Sequence, residues 1–152
     1  MNKNKIVKTI FALGIYAIAI ALVEAAVVIY LRELYYPGGV WIKSAADVAV
    51  IPQKILNVEL WREAATIFML AAVGYLAFDT AKKRFWSFIF VFSVWDLFYY
   101  FFLYIFLGWP QSLGTLDLYY FIPWPWIGPV WIPLILFTIL GIISFKLLTK
   151  NK

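Results

Sequence analysis

The sequence contains no cysteine and no histidine among its 152 residues. Their absence excludes disulfides, thiolate nucleophiles, the usual zinc sites, histidine-ligated haem and a serine-histidine-aspartate triad. Any chemistry is therefore left to carboxylates, hydroxyls, phenols, indoles, arginine and lysine. The sequence also has no phosphate-binding loop, dinucleotide fingerprint or nucleophile elbow. It therefore indicates no particular reaction and no cofactor.

Charged residues are scarce as well. They make up 14% of the chain, whereas 65% of the residues are hydrophobic and the mean hydropathy is +0.88. A soluble domain has about 25% charged and about 45–50% apolar residues, so this composition predicts an integral membrane protein in contact with the lipid bilayer. The net charge of +5 does not indicate a nucleic-acid partner, because the basic residues flank apolar runs and form no continuous patch.

Four apolar stretches are long enough to cross a bilayer. A helix needs about 20 residues to span a hydrocarbon core of about 30 Å. The stretches are, approximately, 6–31, 60–78, 85–107 and 130–148. They predict an all-α membrane protein in which residues 1–152 form a single domain, a four-helix transmembrane bundle. The long connections, 32–59 and 108–129, are predicted to be structured.

The basic residues indicate how the chain is threaded through the membrane. Nine of the thirteen lie at the N-terminus, in the second connection or at the C-terminus: Lys3, Lys5, Lys8, Lys82, Lys83, Arg84, Lys146, Lys150 and Lys152. The positive-inside rule therefore predicts cytoplasmic termini in the plasma (inner) membrane, with 32–59 and 108–129 on the outer side. The first helix imitates a signal peptide, but its apolar run is longer than the usual 7–15 residues or so, and we expect it to be retained.

Turn and capping motifs in the sequence predict local structure in the two outer connections. In the first, Tyr35-Tyr36-Pro37-Gly38-Gly39 predicts a turn, and Ser44-Ala45-Ala46-Asp47 has capping-box spacing. We expect a short interfacial helix there that ends near Pro52. In the second, prolines between Pro110 and Pro129 exclude a regular helix, and the tryptophans favour the headgroup level. The second connection is therefore predicted to cap the outer interface.

The acidic residues are distributed in the opposite way to the basic ones. Seven of the eight are predicted in the membrane or on its outer side: Glu24, Glu33, Asp47, Glu59, Glu63, Asp96 and Asp117. A carboxylate inside a bilayer costs several kcal/mol unless it is paired, protonated or hydrated. Each of those within the predicted helices is therefore a candidate functional residue.

Glu24 lies on a helix face of small residues. Gly14, Ala17, Ala21, Glu24 and Val28 repeat at steps of three and four, which places them on one side of the first helix. We expect this face to pack against other helices and to direct Glu24 into the bundle. The alternative is a glutamate at the outer interface that reaches headgroup water.

A second group of polar residues is predicted to open the second helix. Glu59, Arg62 and Glu63 share a face at i, i+3 and i+4, with Thr66 one turn deeper. Acidic residues near a helix N-terminus are also stabilised by the helix dipole. Arg62 is predicted to be a counter-ion for Glu59, Glu63 or Glu24. The alternative is a solvated helix start.

Asp96 lies near the predicted midplane of the bilayer. Tyr99 and Tyr100 follow it at i+3 and i+4, on the same helix face. Phenol donors can hold a buried carboxylate charged, or burial can keep it protonated. The alternative is a purely structural hydrogen bond between helices.

Antiparallel neighbours bring the outer halves of these helices together, which predicts one pocket covered by the second connection. Its candidate ligand-binding residues are Glu24, Glu59, Arg62, Glu63, Asp96, Tyr99, Tyr100 and Asp117. We expect the pocket to bind a cation or an amphipathic ligand, or to relay protons; the sequence has no metal-site motif. Two alternatives are an enzyme with a carboxylate acid/base pair and an accessory subunit of a larger membrane complex. A homo-oligomer is compatible with each of these functions.

The segment Trp124-Pro125-Trp126-Ile127-Gly128-Pro129-Val130-Trp131 resembles the Pro/Trp-rich segment of the tryptophan-rich sensory protein (translocator protein) family. Members of that family are small membrane proteins that bind porphyrins and sterols. The resemblance implies a hydrophobic ligand. The family has five helices, most of them after this segment, whereas here the segment precedes the last of four. No residue role is therefore transferred from the family.

Overall fold

A computed structural model describes residues 2–37, 47, 50–120 and 126–150. Its elements, in chain order, are α1 (Lys3–Tyr35), α2 (Gln53–Ala77), α3 (Ala81–Leu107), β1 (Leu116–Tyr120), β2 (Trp126–Pro129) and α4 (Trp131–Thr149). All four helices are long and apolar enough to cross a membrane. The described chain is therefore a bundle of four helices that could each span a membrane, as the sequence predicts.

Local sequence sets the ends of the helices. The Asn2 side chain accepts a hydrogen bond from the backbone N–H of Asn4, and the Thr80 hydroxyl accepts one from that of Lys83, so both side chains act as N-caps. α3 ends at Leu107 and is followed by its C-cap Gly108, whose φ of 62° is a left-handed conformation that glycine adopts without steric cost. Pro133 lies in the first turn of α4, where a missing amide donor matters least.

The bundle is organised around α3, which packs against each of the other three helices. One apolar core cluster lies among all four helices and contains Ile10, Leu70, Val91 and Leu148. A second cluster surrounds Leu103, where α3 ends and α4 begins. We call the end of the bundle beside β1 and β2 the hairpin end, and the opposite end, with Lys82 and the start of α1, the lysine end.

Close packing of α2 against α3 depends on Gly74. A Cβ atom at this position would lie 2.8 Å from the backbone nitrogen of Phe88, too close for the two helices to keep their separation. Gly74→Ala is therefore expected to destabilise the protein by about 1–3 kcal/mol, the usual cost of overpacking. Equilibrium unfolding in mixed detergent micelles measures the change.

Gly14→Ala on α1 is the matched control for that substitution. A Cβ atom at Gly14 would meet no atom of the described residues within 4 Å, apart from its own helix backbone and chain neighbours. Alanine is favoured over glycine in a helix by about 1 kcal/mol, so this variant should be as stable as the wild type or more so. Equal destabilisation of the two variants would contradict the packing explanation.

The helix bounds differ from the predicted ones, most of all at the start of α2. α1 continues to Tyr35 rather than ending near Leu31, and α2 begins at Gln53 rather than near Leu60. Hydropathy alone marks only the apolar part of a helix, whereas both helices extend further at the hairpin end with polar residues. Of the predicted interfacial helix, residues 44–46 lie outside the described part of the chain. Pro52 is the N-cap residue of α2.

The second connection contains an antiparallel β-hairpin, an element that the prediction of an all-α fold did not include. β1 pairs with β2 in a register that places Asp117 opposite Gly128. The Tyr119 hydroxyl donates to the carbonyl of Pro129 at 2.6 Å, and it would collide with any Cβ at Gly128. The prolines indicated a non-helical segment, but strand pairing depends on contacts between distant residues. Trp124 and Pro125 lie outside the described residues.

Candidate functional site

At the hairpin end, α1, α2, α3 and β1 surround a cavity of about 120 Å³. All eight residues predicted from the sequence line this cavity: Glu24, Glu59, Arg62, Glu63, Asp96, Tyr99, Tyr100 and Asp117. They come from four different elements, so the cavity exists only in the folded bundle. The geometry therefore brings the candidate residues together; whether they bind a ligand stays a prediction.

A single buried face of α2 supplies three polar side chains to the cavity. Glu59, Glu63 and Thr66 are buried and follow one another at steps of four and three. Because α2 begins at Gln53, these residues lie beyond its first turn. The predicted role of the helix dipole is therefore wrong, and so is the alternative of a solvated helix start.

Arg62 links two carboxylates from different helices. Its Nη1 donates to Oε2 of Glu24, and its Nε donates to Oε2 of Glu59 at 2.7 Å. The Thr66 hydroxyl donates to the other carboxylate oxygen of Glu24. Arg62 is thus the counter-ion of Glu24 and Glu59, as predicted. Glu24 is buried, so it is not a water-facing residue of the interface.

Asp117 holds the hairpin against the helices. Arg32 Nη2 donates to Asp117 Oδ1 at 3.3 Å, and the Tyr100 hydroxyl donates to Oδ2 at 2.9 Å. The Arg32 guanidinium carbon also lies 3.8 Å from the centre of the Trp109 ring, a cation–π contact. Burial raises the pKa of Asp117, while Arg32, Tyr100 and the backbone N–H of Leu118 act in the opposite direction. This carboxylate therefore joins α1, α3 and β1.

Asp96 is the carboxylate whose surroundings differ most from the prediction. Its side chain is 6% exposed, and its Oδ2 has no hydrogen-bond partner among the described residues. Tyr100, predicted to support Asp96, donates to Asp117 instead. Because Asp117 comes from the hairpin, this exchange of partners was not predictable from the helical spacing. Asp96, a residue of the cavity lining, thus has a buried carboxyl oxygen with unused hydrogen-bonding capacity.

Aromatic rings form much of the remaining wall. Trp95, Tyr99, Tyr100, Tyr119 and Tyr120 all line the cavity. The rings of Trp95 and Tyr99 are stacked, with centroids 6.4 Å apart, and Tyr99 meets Tyr100 edge to face at 5.2 Å. Burial and the charges of Asp117 and Asp96 raise the pKa of Tyr119 to about 12, so its hydroxyl stays protonated. These rings offer apolar contact and π-faces to an occupant.

Arg32 is a candidate functional residue that was not predicted from the sequence. It is 9% exposed and lines the cavity. The face that carries Ala21, Glu24 and Val28 reaches Arg32 after one more step of four. Extending that periodicity past the apolar run would have found it. Tyr119 and Tyr120 depend on the hairpin and had no such signal.

Negative groups outnumber positive ones around the cavity. Among the described residues its lining contains five carboxyl groups, from Glu24, Glu59, Glu63, Asp96 and Asp117, and two guanidinium groups, from Arg32 and Arg62. Buried carboxylates require counter-charges or protons. The lining therefore favours an occupant that carries positive charge or donates hydrogen bonds.

Comparisons with known proteins find no match: no family model matches the chain, and neither does any curated protein or solved structure. The resemblance to the translocator protein family therefore depends on the eight residues 124–131 alone. Pockets for drug-sized ligands have volumes of about 300–1,000 Å³. The cavity at the hairpin end, at about 120 Å³, is smaller than this range.

Proposed function

We propose that this integral membrane protein binds a small organic cation in the cavity at the hairpin end. The observation that carries the proposal is Asp96 Oδ2, a buried carboxyl oxygen without a hydrogen-bond partner among the described residues, in a wall rich in carboxylates. A ligand ammonium group offers three hydrogen-bond donors and a positive charge. It would satisfy this oxygen and offset part of the surplus negative charge.

The size and the aromatic wall of the cavity support the same class of ligand. An apolar cavity of about 150 Å³ is large enough for benzene, so a cavity of about 120 Å³ accepts a molecule of a few heavy atoms. Tyrosine and tryptophan rings attract a cation over their faces, by about 2 kcal/mol or more where water is excluded. A short alkylammonium ion matches both features.

A metal ion is less well supported than an organic cation. Among the described residues, no group of three carboxylates is placed to hold one metal ion. Both carboxylate oxygens of Glu24 are already bound, one by Arg62 and the other by Thr66. The same two contacts weigh against Glu24 as half of a catalytic acid/base pair, which needs a carboxyl group within reach of the substrate.

The positive-inside rule supports a location for the cavity. Lys5, Lys8, Lys82 and Lys150 lie at the lysine end of the bundle, which we place in the cytoplasm together with both termini. The hairpin end then lies at the outer face of the plasma membrane. On this topology the ligand arrives from outside the cell.

Propylammonium is a suitable first probe, because 1-propanol has the same number of heavy atoms without the charge. We expect saturable binding of propylammonium to the purified protein in detergent, measured by NMR titration, and at least tenfold weaker binding of 1-propanol. Asp96→Asn should weaken propylammonium binding about tenfold or more, since a hydrogen bond to a charged group contributes about 1.5–3 kcal/mol.

Asp79→Asn is the control for that variant, because Asp79 is exposed at the lysine end and does not line the cavity. Its affinity should equal that of the wild type. Equal binding of 1-propanol and propylammonium, or an undiminished affinity in a folded Asp96→Asn protein, would contradict the proposed function.

A further inference from the structure

Arg32, which lines the cavity, has a buried polar group that the proposed function does not use, its Nη1. We propose that the ligand is a small zwitterion whose ammonium group binds Asp96 and whose carboxylate binds Arg32. This inference rests on the proposed function and specifies the chemical class of its ligand.

The contacts of Arg32 leave one side of its guanidinium group unused. Nη2 donates to Asp117, and the flat face lies over Trp109, but Nη1 is buried without a hydrogen-bond partner among the described residues. A buried N–H that loses its partner is destabilising, more so when it carries charge. Because Arg32 lines the cavity, an acceptor placed there can satisfy Nη1.

A third polar atom supports the same ligand. Tyr120 lines the cavity, and its hydroxyl is buried and lacks a hydrogen-bond partner among the described residues. Together with Arg32 Nη1 it can donate to an anionic group, whereas Asp96 Oδ2 can only accept when ionised. The cavity therefore combines unused donors with an unused acceptor, as a ligand with both charges requires.

The overall charge of the lining favours a zwitterion over a simple anion as the ligand. With five carboxyl and two guanidinium groups around the cavity, an isolated carboxylate ligand meets repulsion from most of the wall. An amino acid brings an ammonium group with its carboxylate and adds no net charge. A volume of about 120 Å³ sets the upper size of such a ligand near that of a short ω-amino acid.

The test compares ligands that have an ammonium group with and without a carboxylate. Glycine, β-alanine and 4-aminobutyrate form a series of increasing length, propylammonium lacks the carboxylate, and acetate lacks the ammonium group. We expect at least one amino acid to bind the wild-type protein about tenfold or more tightly than propylammonium, and acetate to bind more weakly than either. This comparison needs no variant.

The Arg32→Lys variant tests whether Arg32 binds the carboxylate of the ligand. Lysine keeps a positive charge to pair with Asp117, but it has one nitrogen in place of the guanidinium fork. The ratio of the affinity for the amino acid to the affinity for propylammonium should therefore fall to about one. Glu33→Gln, a change at an exposed neighbour outside the cavity, should retain the full preference.

Each outcome has a distinct meaning. If propylammonium binds but no amino acid binds more tightly, or if acetate alone binds as well as the best amino acid, the zwitterion inference is wrong and the cation site remains. A preference that persists in Arg32→Lys overturns the assignment of the carboxylate to Arg32. If no ammonium compound binds, the proposed function fails, and this inference fails with it.

Discussion

Arg62→Met is expected to lower the free energy of unfolding by about 3–5 kcal/mol, the usual effect of removing one partner from a buried ion pair. Arg62 is the counter-ion of both Glu24 and Glu59, and their side chains are 8% and 7% exposed. Since the Arg62 side chain is itself 26% exposed, we expect a value near the lower end of that range. Unfolding in mixed detergent micelles measures the change.

Two further variants separate lost charge from lost packing. Lys54→Met changes an exposed lysine of the same helix and should alter stability by less than about 0.5 kcal/mol. Adding Glu24→Gln to Arg62→Met removes one of the two stranded charges and should restore part of the stability. An Arg62→Met protein as stable as the Lys54→Met control would contradict the role of this ion pair.

Asp117→Asn is expected to release the hairpin from the helices. The substitution leaves the buried Arg32 without its carboxylate partner, which typically costs about 3–5 kcal/mol, and weakens the contact with Tyr100. Because Asp117 belongs to β1, the loss should be concentrated in the hairpin. Hydrogen exchange of the backbone amides in 116–120 and 126–128 should accelerate more than exchange in α3.

Tyr100→Phe provides a graded comparison. It removes the hydrogen bond to Asp117 but keeps the ion pair with Arg32 and the ring contact with Trp109. We expect a smaller effect, about 1.5–3 kcal/mol for a hydrogen bond to a charged group. If Tyr100→Phe releases the hairpin as completely as Asp117→Asn, the ion pair is not what holds it.

Helical periodicity explains why so much of the candidate site was predictable from the sequence. Positions three or four residues apart share a face, so Glu24 could be assigned to the packed side of α1 and Glu59 to the same side of α2 as Glu63. Alternating helix directions then place those faces at one end of the bundle. Both steps use only local spacing and the order of the helices, which a single sequence contains.

Contacts made by the hairpin explain what was not predictable. Tyr100 was assigned to Asp96 because the two are four residues apart, but it donates to Asp117, which arrives from β1. The role of Arg32 follows from the same carboxylate. The early start of α2 was missed because residues 53–59 are largely polar, and hydropathy does not register a helix that extends beyond its apolar part.

The central claim is that a small cation lies in the cavity beside Asp96, and intermolecular nuclear Overhauser effects test it most directly. Propylammonium labelled with ¹³C would be added to the protein in deuterated detergent, with tyrosine rings assigned by substitution. The account predicts contacts from the ligand to the rings of Tyr99 and Tyr100 that disappear in Asp96→Asn. Contacts to exposed rings such as Tyr104 without any to Tyr99 or Tyr100 would contradict it.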